Sequence, residues 1–190
     1  MRSFIAISLP PDIKDALARM QEKLKKSGAD VKWVAPANIH LTLKFLGDLN
    51  EKKLEAVYGA MEDTAKNNTR FYARIRDLGA FPKVSSPRII WAGIGAGDEE
   101  IKKIARQLEE SIARVGIPKE DRPFSCHITL GRTKSALNLD RLTQDLTKNG
   151  KDPEAEGLGF DIEKITFFKS TLTPKGPLYE ALKEASLRAI

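Results

Sequence analysis

Two short runs constrain this chain more than anything else in it. They are Asn38-Ile39-His40-Leu41-Thr42-Leu43-Lys44-Phe45 and Ser125-Cys126-His127-Ile128-Thr129-Leu130-Gly131-Arg132. The sequence has 2 histidines in all, and each opens a His-x-Thr-x unit inside an apolar run. Such runs read as β-strands, in which residues i and i+2 share a face. His40 therefore points with Thr42, and His127 with Thr129. Leu41, Leu43, Ile128 and Leu130 point the other way, into a core. The chain has to bring two small polar faces together if they are to form one site.

The histidines lie 87 residues apart (127 − 40), and the strand-like runs before them, taken from Arg2 and Arg88, lie 86 apart (88 − 2). Each half reads as strand, helix, short extended segment, His-Thr strand, helix, strand. In the first half these are 4–9, a helix from Pro10-Pro11-Asp12 with the stripe Ile13, Leu17, Met20 and Leu24, 31–34, 39–46, a helix over 51–66 capped by Asn50, and 70–78. After a turn-rich loop over 81–87, the second half reads as a buried strand over 88–94, then a helix capped by Asp98 with the stripe Ile101, Ile104, Leu108 and Ile112. A loop over 119–124 leads to the second His-Thr strand. A short helix over 139–147, a long strand over 160–170 and a terminal helix over 177–187 complete the chain. The repeat is one of pattern rather than identity. It predicts two similar α+β lobes related by an approximate two-fold, with one His-Thr strand in each.

Composition narrows the partners. The chain has 190 residues, 41% hydrophobic and 31% charged, which is enough apolar material for a core. Its mean hydropathy is -0.35, and no stretch approaches the ~18 apolar residues of a membrane span. The apolar run at the N-terminus stops at Pro10-Pro11, too short for a signal peptide. The single cysteine, Cys126, excludes an intramolecular disulfide and fits a reducing compartment, so the reading is cytoplasmic. A net charge of +6 favours polyanions, although on charge alone a solvated lysine-rich surface is the commoner explanation.

Cleaving a phosphodiester requires one proton taken from the nucleophile and another given to the leaving oxygen. Imidazole does both near neutrality because its ordinary pKa is about 6.5. Threonine hydroxyls can donate to the phosphoryl oxygens as charge builds on them. A lone histidine on a strand is more often structural. Two units that use every histidine, at equivalent places in a repeat, favour a paired site. No clustered cysteines or spaced carboxylates suggest a metal, and none is expected. Gly93-Ile94-Gly95-Ala96-Gly97 lacks the spacing of a phosphate-binding glycine loop and reads as a turn.

The residues that carry these units also carry a family likeness. Phe4-Ile5-Ala6-Ile7, Trp33-Val34, the first His-Thr run through Leu46-Gly47, Pro87-Arg88-Ile89-Ile90-Trp91-Ala92-Gly93, His127 to Arg132, and the tail Ser170-Thr171-Leu172-Thr173-Pro174-Lys175-Gly176-Pro177-Leu178-Tyr179 span nearly the whole chain. In them the sequence resembles the two-histidine (2H) phosphoesterase superfamily, and within it the LigT-like RNA 2′,3′-cyclic phosphodiesterases, or 2′-5′ RNA ligases. The resemblance implies a single bilobal domain over 1–190, α+β, a pseudo-two-fold duplication with two antiparallel sheets facing a central cleft and helices outside. It implies metal-independent hydrolysis of a terminal RNA 2′,3′-cyclic phosphate to a 2′-phosphate, without a cofactor, and reversal as 2′-5′ RNA ligation. His40 would be the proton donor and His127 the proton acceptor, with Thr42, Thr129 and Arg132 on the phosphate. The implied partners are RNA with a cyclic-phosphate end, including tRNA fragments, and the implied state is a monomer. Two other readings stay open: a noncatalytic RNA-end-binding module, and a relative acting on small cyclic nucleotides or 2′-5′ oligonucleotides. Ser125-Cys126 departs from the proline-containing approach found before this histidine in relatives, and Cys126 reads as core-facing, without thiol chemistry.

Several side chains remain two-sided. Alternation places Arg132 opposite His127, so it reaches the phosphate only if the strand ends, bulges or twists near Gly131. Lys44 shares the His40 face by alternation, as a phosphate contact or a solvated lysine. Phe45 shares the parity of Leu41 and Leu43 and reads as core rather than as a stacking surface. Trp33 stands before the first His-Thr run, as a base-stacking side chain or as packing. Trp91 reads as core. Tyr72, Arg74 and Arg76 share a strand face, either a nucleic-acid-binding stripe or a solvated surface. Ser170 and Tyr179 rest on the tail motif alone.

Overall fold

The structure, a computed structural model, describes residues 1–150, 157–174 and 176–189; Lys175 of the tail motif lies outside the described residues. The elements run β1 (Arg2–Ser8), α1 (Pro11–Lys25), β2 (Val31–Trp33), β3 (His40–Asp48), α2 (Leu54–Lys66), β4 (Phe71–Lys83), β5 (Ser86–Ile94), α3 (Asp98–Arg114), β6 (His127–Thr133), α4 (Leu139–Asn149), β7 (Gly159–Ile162), β8 (Lys164–Thr173) and β9 (Gly176–Ser186). They form a four-stranded sheet ordered β3-β1-β8-β9 and a five-stranded sheet ordered β2-β6-β5-β4-β7. Every pairing between these strands is antiparallel. Two antiparallel sheets with helices behind them are the α+β duplication the sequence implies.

The lobes do not coincide with the sequence halves. β1 and β3 pair in one sheet, β5 and β6 in the other, as the repeat predicts. Each half then exports a strand: β4 crosses to pair with β5, and β8 crosses to pair with β1. The helices cross too. α2 and α3 back the four-stranded sheet, while α4 and α1 lie together behind the five-stranded one. Their apolar stripes are buried as read: Ile13, Leu17, Met20 and Leu24 on α1, and Ile101, Ile104, Leu108 and Ile112 on α3. Asn50 accepts from the Lys52 N–H at 3.0 Å and starts a single 3₁₀ turn that runs into α2. Gly97, at φ +85°, holds the cap position of α3, and Asp98 is its first helical residue.

Three expectations fail in instructive ways. The segment 177–187 is not a helix but most of β9, paired with β8 from Lys164↔Ser186 to Thr173↔Gly176. Its Ala, Leu, Glu and Lys content favours a helix in isolation, but an open edge of β8 is satisfied only by a strand. The long strand over 160–170 is two strands, because the chain leaves the five-stranded sheet after Ile162 and joins the four-stranded one at Lys164. The loop over 81–87 is largely a hairpin, with β4 running to Lys83 and β5 starting at Ser86.

The two His-Thr strands share a defect that reshapes the cleft. On β3, Thr42 pairs with Ala6 but Lys44 pairs with Ile5, leaving Leu43 without a partner across the ladder. On β6, Thr129 pairs with Trp91 but Gly131 pairs with Ile90, leaving Leu130 extra. Each is a β-bulge, three residues after its histidine, and each reverses the alternation beyond it. Paired residues share a face. Phe45, opposite Phe4, therefore joins His40 (opposite Ser8) and Thr42 (opposite Ala6) on the cleft side. Arg132, opposite Ile89, likewise joins His127, opposite Gly93. The bulged Leu130 carbonyl is held by the Gln21 amide from α1 at 2.8 Å and by the Val34 N–H at 2.9 Å. Gln21 is buried and also donates to the Val34 carbonyl at 2.8 Å.

Two outcomes follow from this interlocking. A fragment ending at Val84 leaves β1 without β8, β4 without β5 and β2 without β6, and is expected to show no cooperative thermal transition by circular dichroism. Gln21→Leu removes both amide bonds inside the core and should cost about 1–3 kcal/mol. It should lower the midpoint of a denaturant titration at unchanged m value.

Candidate active site

β3 and β6 approach one another across the two sheets, and the two histidines begin these strands. Their rings are held in the same way. His40 Nδ1 lies 2.6 Å from the Asn38 carbonyl, and His127 Nδ1 lies 2.7 Å from the Ser125 carbonyl. A carbonyl only accepts, so each Nδ1 carries its proton and each Nε2 is the atom left for chemistry. In neutral His40 the Thr42 hydroxyl donates to Nε2 at 3.0 Å. The approach to His40 is pinned by the Asn38 amide, which donates to the Pro177 carbonyl of β9 at 2.8 Å.

Aromatic rings wall both imidazoles. Phe4 stacks on His40 at 4.8 Å between centroids, and Tyr179 meets it edge-on at 5.3 Å. Phe81 meets His127 edge-on at 5.1 Å and leans on Trp91 at 5.3 Å. Trp91 pairs with Thr129 and is only half-buried, so it belongs to the cleft wall rather than to the core. Phe81, read from the sequence as loop, was beyond reach there, because its face is set by β4 continuing past it. Tyr179 points into the cleft only because 177–187 is a strand. Ser170 pairs with it on β8. Thr166, in register with Ala6 and hence with Thr42, adds a fully buried hydroxyl without a hydrogen-bond partner among the described residues.

Electrostatics tie the two strands together. Desolvation lowers the pKa of His40; the Asn38 hydrogen bond opposes this and the Lys14 charge adds to it. Desolvation likewise lowers His127, opposed by the Ser125 hydrogen bond and reinforced by the Arg132 guanidinium. Burial raises Tyr179, against the charges of Arg2 and Arg132. Arg132 of one sheet is thus felt both by His127 and by the tyrosine that touches His40. Burial raises Cys126, with the Asp98 carboxylate adding to it, so the thiol stays protonated and packs against the core.

Two proposed contacts are not on this face. Lys44 is neither beside His40 nor solvated. The Leu43 bulge turns it toward α3, where it is 1% exposed, 2.9 Å from Glu109 and 3.6 Å from Glu120, and donates to the Pro118 carbonyl. Glu120 in turn accepts from the Phe45 N–H at 3.2 Å. Lys44 therefore clamps the loop that leads to His127 onto the strand that carries His40. Trp33 pairs with Gly131, which the Leu130 bulge turns to the Ile90 side, so the indole packs toward the core and away from His127. Phe45, read as core, is 57% exposed on the His40 face.

Both histidines are held neutral more firmly in the folded chain than in the unfolded one. As pH falls below about 6.5 the unfolded chain binds protons first, so their contribution to stability is complete above that value and is lost below it. Denaturant titrations from pH 7.5 to 5 should show this slope. The variant His40→Ala/His127→Ala should show a shallower one.

The chain is similar to known proteins along nearly its whole length. The model of the LigT-like phosphoesterase family matches residues 7–91 and again 94–179, once for each half of the repeat. The RNA 2′,3′-cyclic phosphodiesterase of Methanocaldococcus jannaschii is 35% identical over 184 residues, covering 97% of this chain and 99% of that one. That of Methanothermobacter thermautotrophicus is 32% identical over 179 residues, covering 94% and 95%. A crystal structure of a Thermus thermophilus protein superposes with a TM-score of 0.81 at 32% identity, covering 100% of this chain and 99% of that one. The crystal structure of E. coli LigT complexed with 3′-AMP superposes with a TM-score of 0.77 at 26% identity, covering 98% and 97%. A duplicated fold, two His-Thr bulged strands and a family match that repeats with them lead to one conclusion: this chain belongs to the LigT-like phosphoesterase family.

Proposed function

We propose that this chain is a metal-independent RNA 2′,3′-cyclic phosphodiesterase that opens a terminal cyclic phosphate to a 2′-phosphate. The observation that carries the reading is the matched pair of imidazoles. Each is tied at Nδ1 to a carbonyl two residues back, and each has a threonine two residues on, sharing its face. The relatives named for this activity support the substrate class.

In this reading water attacks the phosphorus as His127 Nε2 takes its proton. The bond from phosphorus to O3′ breaks, and His40 Nε2 gives its proton to O3′. The product carries a 2′-phosphate and a free 3′-hydroxyl, and proton exchange with solvent resets the pair. Arg132 beside His127 favours the neutral ring that a base requires. The substrate's own negative charge between the rings offsets the cationic field and raises the proton affinity of His40. Thr42, Thr129 and Arg132 stabilise the charge that builds on the phosphoryl oxygens. The exposed ring of Phe45 offers the terminal base a stacking surface on the His40 side. Replacing water by an RNA 5′-hydroxyl would join strands through a 2′-5′ linkage by the same proton transfers. Among the described residues no helix is long and apolar enough to cross a membrane. The enzyme is read as one bilobal domain, acting as a cytoplasmic monomer on RNA ends such as those of tRNA fragments.

The test is hydrolysis of an RNA ending in 2′,3′-cyclic phosphate, with EDTA present. Turnover to the 2′-phosphate should survive chelation. His40→Ala or His127→Ala should each lower kcat by roughly a hundred- to ten-thousand-fold. Full activity in either variant defeats the paired mechanism, and loss on chelation defeats metal independence. Binding without single-turnover cleavage would leave only an RNA-end-binding module.

A further inference from the structure

The open face of the five-stranded sheet continues beyond the histidines, and large side chains lie flat along it. Trp91 starts the row on the His127 face. Its indole covers Gly79, where a Cβ would overlap Cη2 and Cζ2, and borders Gly93, whose Cβ would fall 3.2 Å from Cζ3. On β4 the stem of Arg76 lies over Gly95, whose Cβ would fall 3.1 Å from the Arg76 Cδ. Farther along, the Tyr72 ring covers Gly159, whose Cβ would overlap its hydroxyl oxygen. Arg74 stands between them, exposed and paired with Gly159. Glycine beneath a long or flat side chain lets it recline on the sheet and turn its broad side to solvent.

From these positions we infer that Trp91, Arg76, Arg74 and Tyr72 form a track for the single-stranded RNA that lies 5′ of the reacting nucleotide. This inference rests on the proposed function. The cyclic phosphate ends a strand at its 3′ terminus, so the remaining nucleotides must leave the site in one direction. This face leaves the His127 side, and β4 from Gly79 to Tyr72 spans about 23 Å at about 3.3 Å per residue. Reclining aromatic rings and guanidinium planes stack on bases of any identity, and two arginines answer the backbone charge. The groups are available: Tyr72 is 47% exposed and the Arg76 side chain 69%. Arg76 meets Asp77 at 3.3 Å, but exposed ion pairs are weak and yield to a phosphate. The exposed Asp161, paired with Tyr72, marks the far end, where a negative charge would repel a longer backbone run.

The experiment compares wild type with the variant Tyr72→Ala/Arg74→Gln/Arg76→Gln. Fluorescence anisotropy measures binding of a labelled single-stranded RNA of about ten nucleotides ending in a 2′-phosphate. A nucleoside 2′-phosphate, read by competition, reports the reaction site alone. The variant should bind the long RNA about tenfold or more weakly. Its salt dependence should flatten by about 1.4 in log–log slope, near 0.7 for each arginine. Affinity for the mononucleotide, turnover of a dinucleotide cyclic phosphate and thermal stability should all be unchanged. Equal binding of the long RNA by both proteins overturns the track, as does a parallel loss for the mononucleotide. If wild type binds the long RNA through these residues yet hydrolyses no cyclic phosphate, the track stands and the proposed function falls. If dinucleotide turnover persists while the variant binds the long RNA normally, the reverse holds.

Discussion

Everything in the cleft depends on a matched bulge three residues after each histidine, at Leu43 and at Leu130. Without the bulge at Leu43, Lys44 would face the cleft and Phe45 the core. Without the bulge at Leu130, Arg132 would point away from His127, and Gly131 would take its place on the cleft side. A bulge leaves a backbone carbonyl out of the ladder, and an unpaired carbonyl in a core is costly. The fold meets that cost at Leu130 with a buried glutamine that does nothing at the surface. Near Leu43 a buried lysine and two glutamates hold the displaced backbone against the loop ahead of His127. Gln21 and Lys44 are thus structural residues whose effect is felt at Arg132 and Phe45.

The exchange of strands and helices ties the two His-Thr strands into one unit. Each His-Thr strand is set by a central strand of its own half, β1 or β5. Those central strands are completed by β8 and β4, which come from the opposite halves. A displacement of either lobe therefore strains connections on both. Lys44 adds a direct link from β3 to the loop entering β6, and the Asn38 amide adds another from the His40 approach to β9. In the proposed mechanism, proton transfer in both directions across one phosphorus needs two imidazoles at a fixed separation, and this weave would supply the stiffness.

Much of this was legible in the sequence, at the level where local pattern decides. The helix stripes, the His-Thr strands, the repeat and the two-sheet α+β class all follow from periodicity and from the family likeness. What failed was set by tertiary pairing. The segment 177–187 has a helix-forming composition and becomes a strand because β8 needs an edge partner. Phe81 is in a turn-rich stretch and lies on the His127 ring because β4 runs on past it. Lys44 and Phe45 take the opposite faces from those read in the sequence, for one reason: strict alternation does not hold across a bulge, and an apolar run gives no sign of which leucine is the extra one. The conflict over Arg132 was such a sign. A residue implied for the site but on the wrong parity points to a break in the ladder between itself and the histidine. Applied to the first run, the same logic moves Phe45 into the cleft and Lys44 out of it.

The duplication makes the site nearly symmetric in its two imidazoles and asymmetric in everything around them. Phe45 and Arg132 occupy equivalent positions, each five residues after its histidine and just past its bulge. One presents an apolar face and the other a fixed positive charge. An apolar face suits a base, and a guanidinium suits a phosphoryl oxygen, so under the proposed function the pair would give a direction to a substrate that the imidazoles alone would accept either way round. The aromatic neighbours extend the difference, with Phe4 and Tyr179 enclosing His40 and Phe81 with Trp91 bordering the more open His127 side. An enclosed ring sheds water and suits a proton destined for a leaving oxygen. A ring at the open side meets solvent, from which the attacking water of the proposed mechanism would come. Under the proposed function, the roles of the two histidines would be separated less by the histidines themselves than by the residues that the two bulges bring to their side.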